Sequence, residues 1–170
     1  MKISYIVKGE LKDVFVDPLP DNIVKDGMIQ YWDAMADFLK ESLQGHGLRC
    51  RNVAFTVPSS GVYMRTVELP RMTVKQLALN LPFEFHDYIS DATEKYFYDY
   101  AVLEEREKSM KLLAVACSED LIHRYRALAK RAKLNPVGLL PDVLGFQRIL
   151  HRYDTLFSVP AEKDYAILDM

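Results

Sequence analysis

The chain moves between two rhythms of apolar and polar residues, one of period two and one of period three to four, which predicts strands interleaved with helices. Residues 2–7 and 14–17 are short β-rich runs with Gly9 between them and read as a hairpin. The apolar pairs Ile23-Val24 and Met28-Ile29 then flank Asp26-Gly27, the strongest short hairpin signal a sequence can carry. From 30 to 43 the period becomes helical, with Trp32, Met35, Ala36, Leu39 and Leu43 on one face, and Gly45 and Gly47 are placed to close that helix.

The middle of the chain reads strand (52–58), strand (62–70), helix (73–88), strand (96–103), strand (111–117), helix (121–133). That order predicts an α/β module of α+β character, with helices on one face of a sheet. Thr73 and Gln76 stand in the capping-box arrangement, so the first of these helices starts there. Pro82 removes a backbone donor and crowds the preceding turn, which predicts a kink or break between Leu81 and Phe83, read either as a shaped surface for a partner or as a tolerated bend. Phe83, Phe85, Tyr88 and Ile89 are too apolar to face water together, and most are expected to pack on the sheet.

In the second helix Leu121, Tyr125, Leu128, Ala129 and Ala132 share one face, with Ser118 as its cap and Glu119 and Asp120 in its first turn. The other face carries His123, Arg124, Arg126, Lys130, Arg131 and Lys133. It reads either as a contact for an acidic partner or lipid, or as a solvated face whose late cations complement the helix dipole. Residues 135–140 then read as a strand, Asp142 as a cap, 143–152 as a helix and 164–170 as a last strand.

Composition narrows the class. With 170 residues, 49% hydrophobic and 27% charged, the chain can bury a core and has no disordered signature. A formal net charge of −2 gives no global attraction to nucleic acid or to an anionic bilayer. Cys50 and Cys117 stand alone, which suggests neither a metal knuckle nor a disulfide framework and fits a reducing compartment. Residues 1–20 lack a signal-peptide pattern, and no run reaches the ~20 apolar residues that a membrane span requires. Membrane association is therefore expected through a partner, with no direct insertion.

Catalytic signatures are absent. The chain has no Gly-x-x-x-x-Gly-Lys-Ser/Thr, no Gly-x-Gly-x-x-Gly and no Gly-x-Ser-x-Gly. His46, His86, His123 and His151 fall on different elements without metal-ligand spacing. Ser59-Ser60-Gly61 reads as a turn rather than a nucleophile elbow, and Glu84 with Asp87 as a charged rim. No catalytic residue and no metal ligand is assigned, and no partner-binding residue is singled out.

One family gathers these elements in order. The early hairpin, Pro18-Leu19-Pro20, Asp26-Gly27, Val57-Pro58-Ser59-Ser60, Arg65, Leu69-Pro70, the helix bearing Glu84, Asp99-Tyr100 with Val102-Leu103, and Leu134-Asn135-Pro136 together resemble the PilM family of type IV pilus assembly proteins. These are actin-like proteins related to FtsA. The resemblance implies a partial actin-like, ribonuclease-H-like subdomain over 1–61 and 135–170, carrying an inserted strand-helix-strand-strand (SHS2-like) subdomain over 62–134. It implies that complete family members bind ATP with magnesium. Asp169, followed by Met170, matches the opening of the second phosphate loop, whose glycine lies past Met170, and the first phosphate loop does not precede Lys2. Asp169 is thus the one cofactor-binding residue implied, and only in a complete protein; no ATP hydrolysis is expected from this chain alone.

The implied function is a cytoplasmic scaffold of type IV pilus or related secretion assembly, peripheral to the inner face of the membrane, that docks the N-terminal tail of a membrane partner such as PilN. The alternative is an FtsA-like cell-division protein whose inserted subdomain contacts the neighbouring protomer. If the missing strands leave the edges at 2–7 and 165–168 unpaired, a homodimer or strand exchange is expected at high concentration.

Overall fold

The computed structural model describes residues 1–89 and 95–145, which form two compact units. The helix expected over 143–152 lies outside the described residues from 146 onward, and the strand expected over 164–170, with Asp169, lies wholly outside them.

The first unit comprises Met1–Phe55 and Asp120–Gly138. It opens with an antiparallel hairpin of β1 (Lys2–Val7) and β2 (Glu10–Val16), in which Lys2 faces Val16 and Val7 faces Glu10. The turn is Lys8-Gly9, with φ of 51° and 80°, the left-handed pair that a two-residue hairpin of this twist requires. β3 (Val24–Lys25) and β4 (Met28–Ile29) repeat the device on a smaller scale around Asp26-Gly27, at φ 52° and 75°. Helix α1 (Trp32–Gly45) follows and ends in a Schellman motif. Leu48 N–H donates to Leu43 C=O at 2.9 Å and Gly47 N–H to Gln44 C=O at 3.0 Å, with Gly47 in the left-handed region.

β5 (Asn52–Val57) pairs with β9 (Asn135–Pro141), and helix α3 (Glu119–Arg131) packs its apolar face inward. Ala36 and Leu39 of α1 and Leu128 and Ala132 beside or in α3 form a buried cluster, with Trp32, Met35, Leu43, Phe55 and Leu134 around it. Trp32 meets the edge of Tyr125 at 5.0 Å between ring centroids, and Phe55 approaches the same ring at 5.4 Å. All five residues expected on the inner face of α3 are buried.

The second unit is built from Thr56–Glu119 and the described residues from Leu139. Its sheet is antiparallel in the order β6 (Val62–Pro70), β8 (Ser109–Ser118), β7 (Tyr96–Glu105). Helix α2 (Val74–Glu84) lays Leu77 and Leu81, with Phe85 just beyond its end, on Val67, Leu69, Met110, Leu112, Ala114 and Ala116. The alanines of the central strand are fully buried and leave room for those larger side chains. Tyr98 borders this core, and burial pushes its phenol up from the ordinary value.

Two expectations for this region change. Helix α2 runs without interruption through Pro82 and ends at Glu84, short of Tyr88. The carbonyl that Pro82 deprives of a donor belongs to Ala78, an exposed residue whose oxygen water can satisfy. After it the chain tightens into three-residue bonds, Phe85 N–H to Pro82 C=O at 3.3 Å and His86 N–H to Phe83 C=O at 3.2 Å, which finish the helix early. Among the four apolar residues expected on the sheet, Phe85 is buried and Ile89 packs against the core, but Phe83 and Tyr88 are exposed. Four-residue spacing from Leu77 through Leu81 to Phe85 fixes the inner face, and Phe83 is turned half a revolution from it.

Candidate partner-docking surface

That half-revolution leaves an apolar ridge on the outward side of α2. Leu79 and Phe83, four residues apart, stand on the outward side of α2 at 72% and 76% exposure. Val74 in the first turn and Tyr88 past the end are also exposed. Single exposed apolar residues are ordinary, whereas a ridge of them on one helix is a signature of a surface that meets another molecule. Charge is sparse along it: Lys75 and Glu84 are the ionisable residues of the helix, and Glu84 is half-buried. Depleted charge with aromatic content is the composition of interface cores.

Both ends of the helix are held. At the start Gln76 N–H donates to Thr73 Oγ1 at 3.4 Å while Thr73 N–H donates to Gln76 Oε1 at 2.9 Å, the complete capping box. At the other end Arg65 of β6 donates from Nη1 to the Glu84 carbonyl, and its guanidinium lies 4.6 Å from the Tyr88 ring centroid. A cation placed on the last carbonyls also complements the helix dipole. The ridge is thus presented on a pinned element, which limits the ordering cost of a docking event.

The other chemical candidates resolve into structural roles. Ser59 Oγ donates to Asp142 Oδ1 at 2.7 Å, which ties down a turn. His46 Nε2 lies 2.9 Å and 3.1 Å from the two Asp17 carboxylate oxygens, its ring stacks on Phe15 at 4.1 Å, and Ser42 Oγ donates to the same carboxylate. The hydrogen bonds from Ser42 first and His46 second hold Asp17 below the usual carboxylate range. His86 and His123 are exposed on separate elements, and His151 lies outside the described residues. Glu84 enters the structure through its backbone carbonyl rather than through pairing with Asp87. Among the described residues no cluster of three His, Cys, Asp or Glu could hold a metal ion, and no phosphate-loop motif occurs in the sequence. No described helix is long and apolar enough to cross a membrane.

The family model described as type IV pilus assembly protein PilM matches residues 7–168. The chain belongs to the PilM family. Among solved structures it is similar to a PilM–PilN type IV pilus biogenesis complex, with a TM-score of 0.80 and 21% identity, over 89% of this chain and 47% of that one. It thus spans about half the length of the solved chain it matches. It also aligns at a TM-score of 0.48 and 21% identity with the cytoplasmic domain of EpsL, an inner-membrane component of the type II secretion system of Vibrio cholerae, over 66% of this chain and 43% of that one. No curated protein matches it. The fold match agrees with the expected mixed α/β architecture.

The α2 ridge itself was not singled out by sequence reasoning, although a signal was there. Val74, Leu77, Leu79, Leu81, Phe83 and Phe85 supply more apolar residues than one helix face can bury, so some must be left outside.

Proposed function

We propose that this chain is the docking and scaffold part of a PilM-type protein in type IV pilus or related secretion assembly. It receives the N-terminal tail of an inner-membrane partner of the PilN type and stands peripheral to the membrane through that partner. The observation that carries the reading is the exposed Leu79–Phe83 ridge on α2, in a chain matched by the PilM model over residues 7–168. The similar PilM–PilN complex supports the choice of occupant. Apolar anchors on a pinned helix suit a peptide that offers a few large side chains, the usual distribution of binding energy at such contacts.

In this reading 62–134 is the inserted subdomain, its sheet formed by β6, β8 and β7, and 1–61 with 135–170 is the actin-like part. α3, at the end of that span, packs with α1 in the first unit. ATP with magnesium, and a part for Asp169 in holding it, stay what the family resemblance implies for a complete protein.

Calorimetric titration with the N-terminal tail peptide of the PilN-type partner tests the proposal. Saturable binding is expected, and the Leu79→Ser/Phe83→Ser double variant is expected to weaken it by about tenfold or more, equivalent to ~1.4 kcal/mol, at an unchanged melting temperature. A folded chain that binds no tail overturns the docking role, whereas full-strength binding by the double variant overturns only the assignment to α2.

A further inference from the structure

Helix α3 carries a second outward surface of opposite chemistry. Its buried residues Leu121, Tyr125 and Leu128, with Ala132 just past its end, define one side. On the opposite side Arg126, Lys130 and Lys133 follow at spacings of four and three, all exposed, with His123 one turn earlier in the same row. The flank cations are treated differently. Arg124 pairs with Asp120 at 2.6 Å, and Arg131 reaches Asp37 at 2.7 Å and Asp33 at 3.3 Å on α1. Among the described residues, no carboxylate lies within ion-pair distance of Arg126, Lys130 or Lys133.

A solvated face with cations placed for the helix dipole explains only part of this. The dipole favours positive charge in the last turn, which covers Lys130 but neither mid-helix Arg126 nor Lys133 past the helix end. Lys133 also sits at φ 60°, the left-handed position after the helix where glycine is the low-energy residue. Leu134 N–H donates to Ala129 C=O at 2.8 Å and Lys133 N–H to Lys130 C=O at 3.1 Å, a Schellman ending closed with a lysine. A cation is thus kept where the backbone favours its absence, and it extends the row.

We infer that the Arg126–Lys130–Lys133 row is a binding surface for an acidic segment of a partner protein, one that offers carboxylates about one helical turn apart. The whole chain carries a formal net charge of −2, so attraction to a polyanion rests on this local row and not on a general field. A bilayer is the less suited occupant, because the large apolar side chain beside the row, Ile122 one turn before Arg126, is only partly exposed.

The test uses a fluorescein-labelled peptide with glutamates at three- and four-residue spacing, its glutamine counterpart, and vesicles containing phosphatidylserine. Binding of the glutamate peptide alone is expected, falling with salt. The Arg126→Gln/Lys130→Gln/Lys133→Gln variant is expected to lose it at least tenfold at an unchanged melting temperature. A control with the same charge change elsewhere, Lys8→Gln/Lys12→Gln/Lys25→Gln, should keep it. Equal loss in the control, no peptide binding by the folded chain, or binding to vesicles alone would each overturn the inference.

Discussion

Helices α2 and α3 are built alike on the inside and oppositely on the outside. Each buries one stripe, Leu77, Leu81 and Phe85 at four-residue spacing in one and Leu121, Tyr125, Leu128 and Ala132 at four- and three-residue spacing in the other. Outward, α2 shows Leu79 and Phe83, while α3 shows Arg126, Lys130 and Lys133. Folding accounts for the inner faces, since each helix needs one apolar stripe to reach a core. It does not account for the outer ones, where polar residues without a pattern would serve. The two helices of this PilM family member thus expose two kinds of surface, one apolar and sparsely charged, the other cationic.

The comparison breaks most sharply at Phe85 and Phe83, the same residue type two positions apart at 1% and 76% exposure. Phe85→Ala should cost about 3–5 kcal/mol of unfolding free energy in urea, because it empties a core site. Phe83→Ala should stay within about 0.5 kcal/mol. Equal losses would mean that Phe83 is packed and that α2 has no free ridge. Removal of the capping hydroxyl by Thr73→Ala should cost about 1 kcal/mol, measured the same way, and a value near zero would show that the first turn of α2 is not pinned as described. At the C-terminus of α3, Lys133→Gly relieves a left-handed lysine and should raise stability by a few tenths to about 1 kcal/mol while it weakens the glutamate peptide. A loss of both would make Lys133 a structural residue.

The smallest effect is expected from acid. Asp17 is held below the ordinary carboxylate range by the Ser42 and His46 hydrogen bonds, and Asp37 by the Arg131 hydrogen bond and charge. A carboxyl whose folded pKa lies below its unfolded one adds stability above the unfolded value, and that contribution fades as pH falls through the folded value. Thermal unfolding followed downward through the carboxylate range should therefore show a loss that Asp17→Asn flattens. An unchanged acid limb in that variant would remove the Asp17 clasp from the account.

Most of the fold is legible in the sequence because its signals are local. Lys8-Gly9 and Asp26-Gly27 specify their turns through positive φ, and Gly47 closes α1 for the same reason. The inner row of α3 follows from period alone. What could not be read is where α2 stops and which of its many apolar residues face out. That depends on how Leu77, Leu81 and Phe85 seat over Ala114 and Ala116, a long-range fit that no window of sequence contains. The Arg65 contact with Glu84 and Tyr88 joins residues far apart in sequence, so Arg65 could be quoted as part of a family pattern but not given a role. The pairing of Arg131 with Asp33 and Asp37 is equally long-range, and only after it is known does the unmatched row beside it stand out.

The proposed docking role puts the partner's tail on the outward face of α2. Backbone amide shifts of the labelled chain, recorded as the PilN-type tail peptide is added, test it most directly. Saturating shifts are expected, concentrated from Val74 through Tyr88 and on Arg65 of the neighbouring strand. Shifts confined to the first unit, or none at saturating peptide, would contradict it.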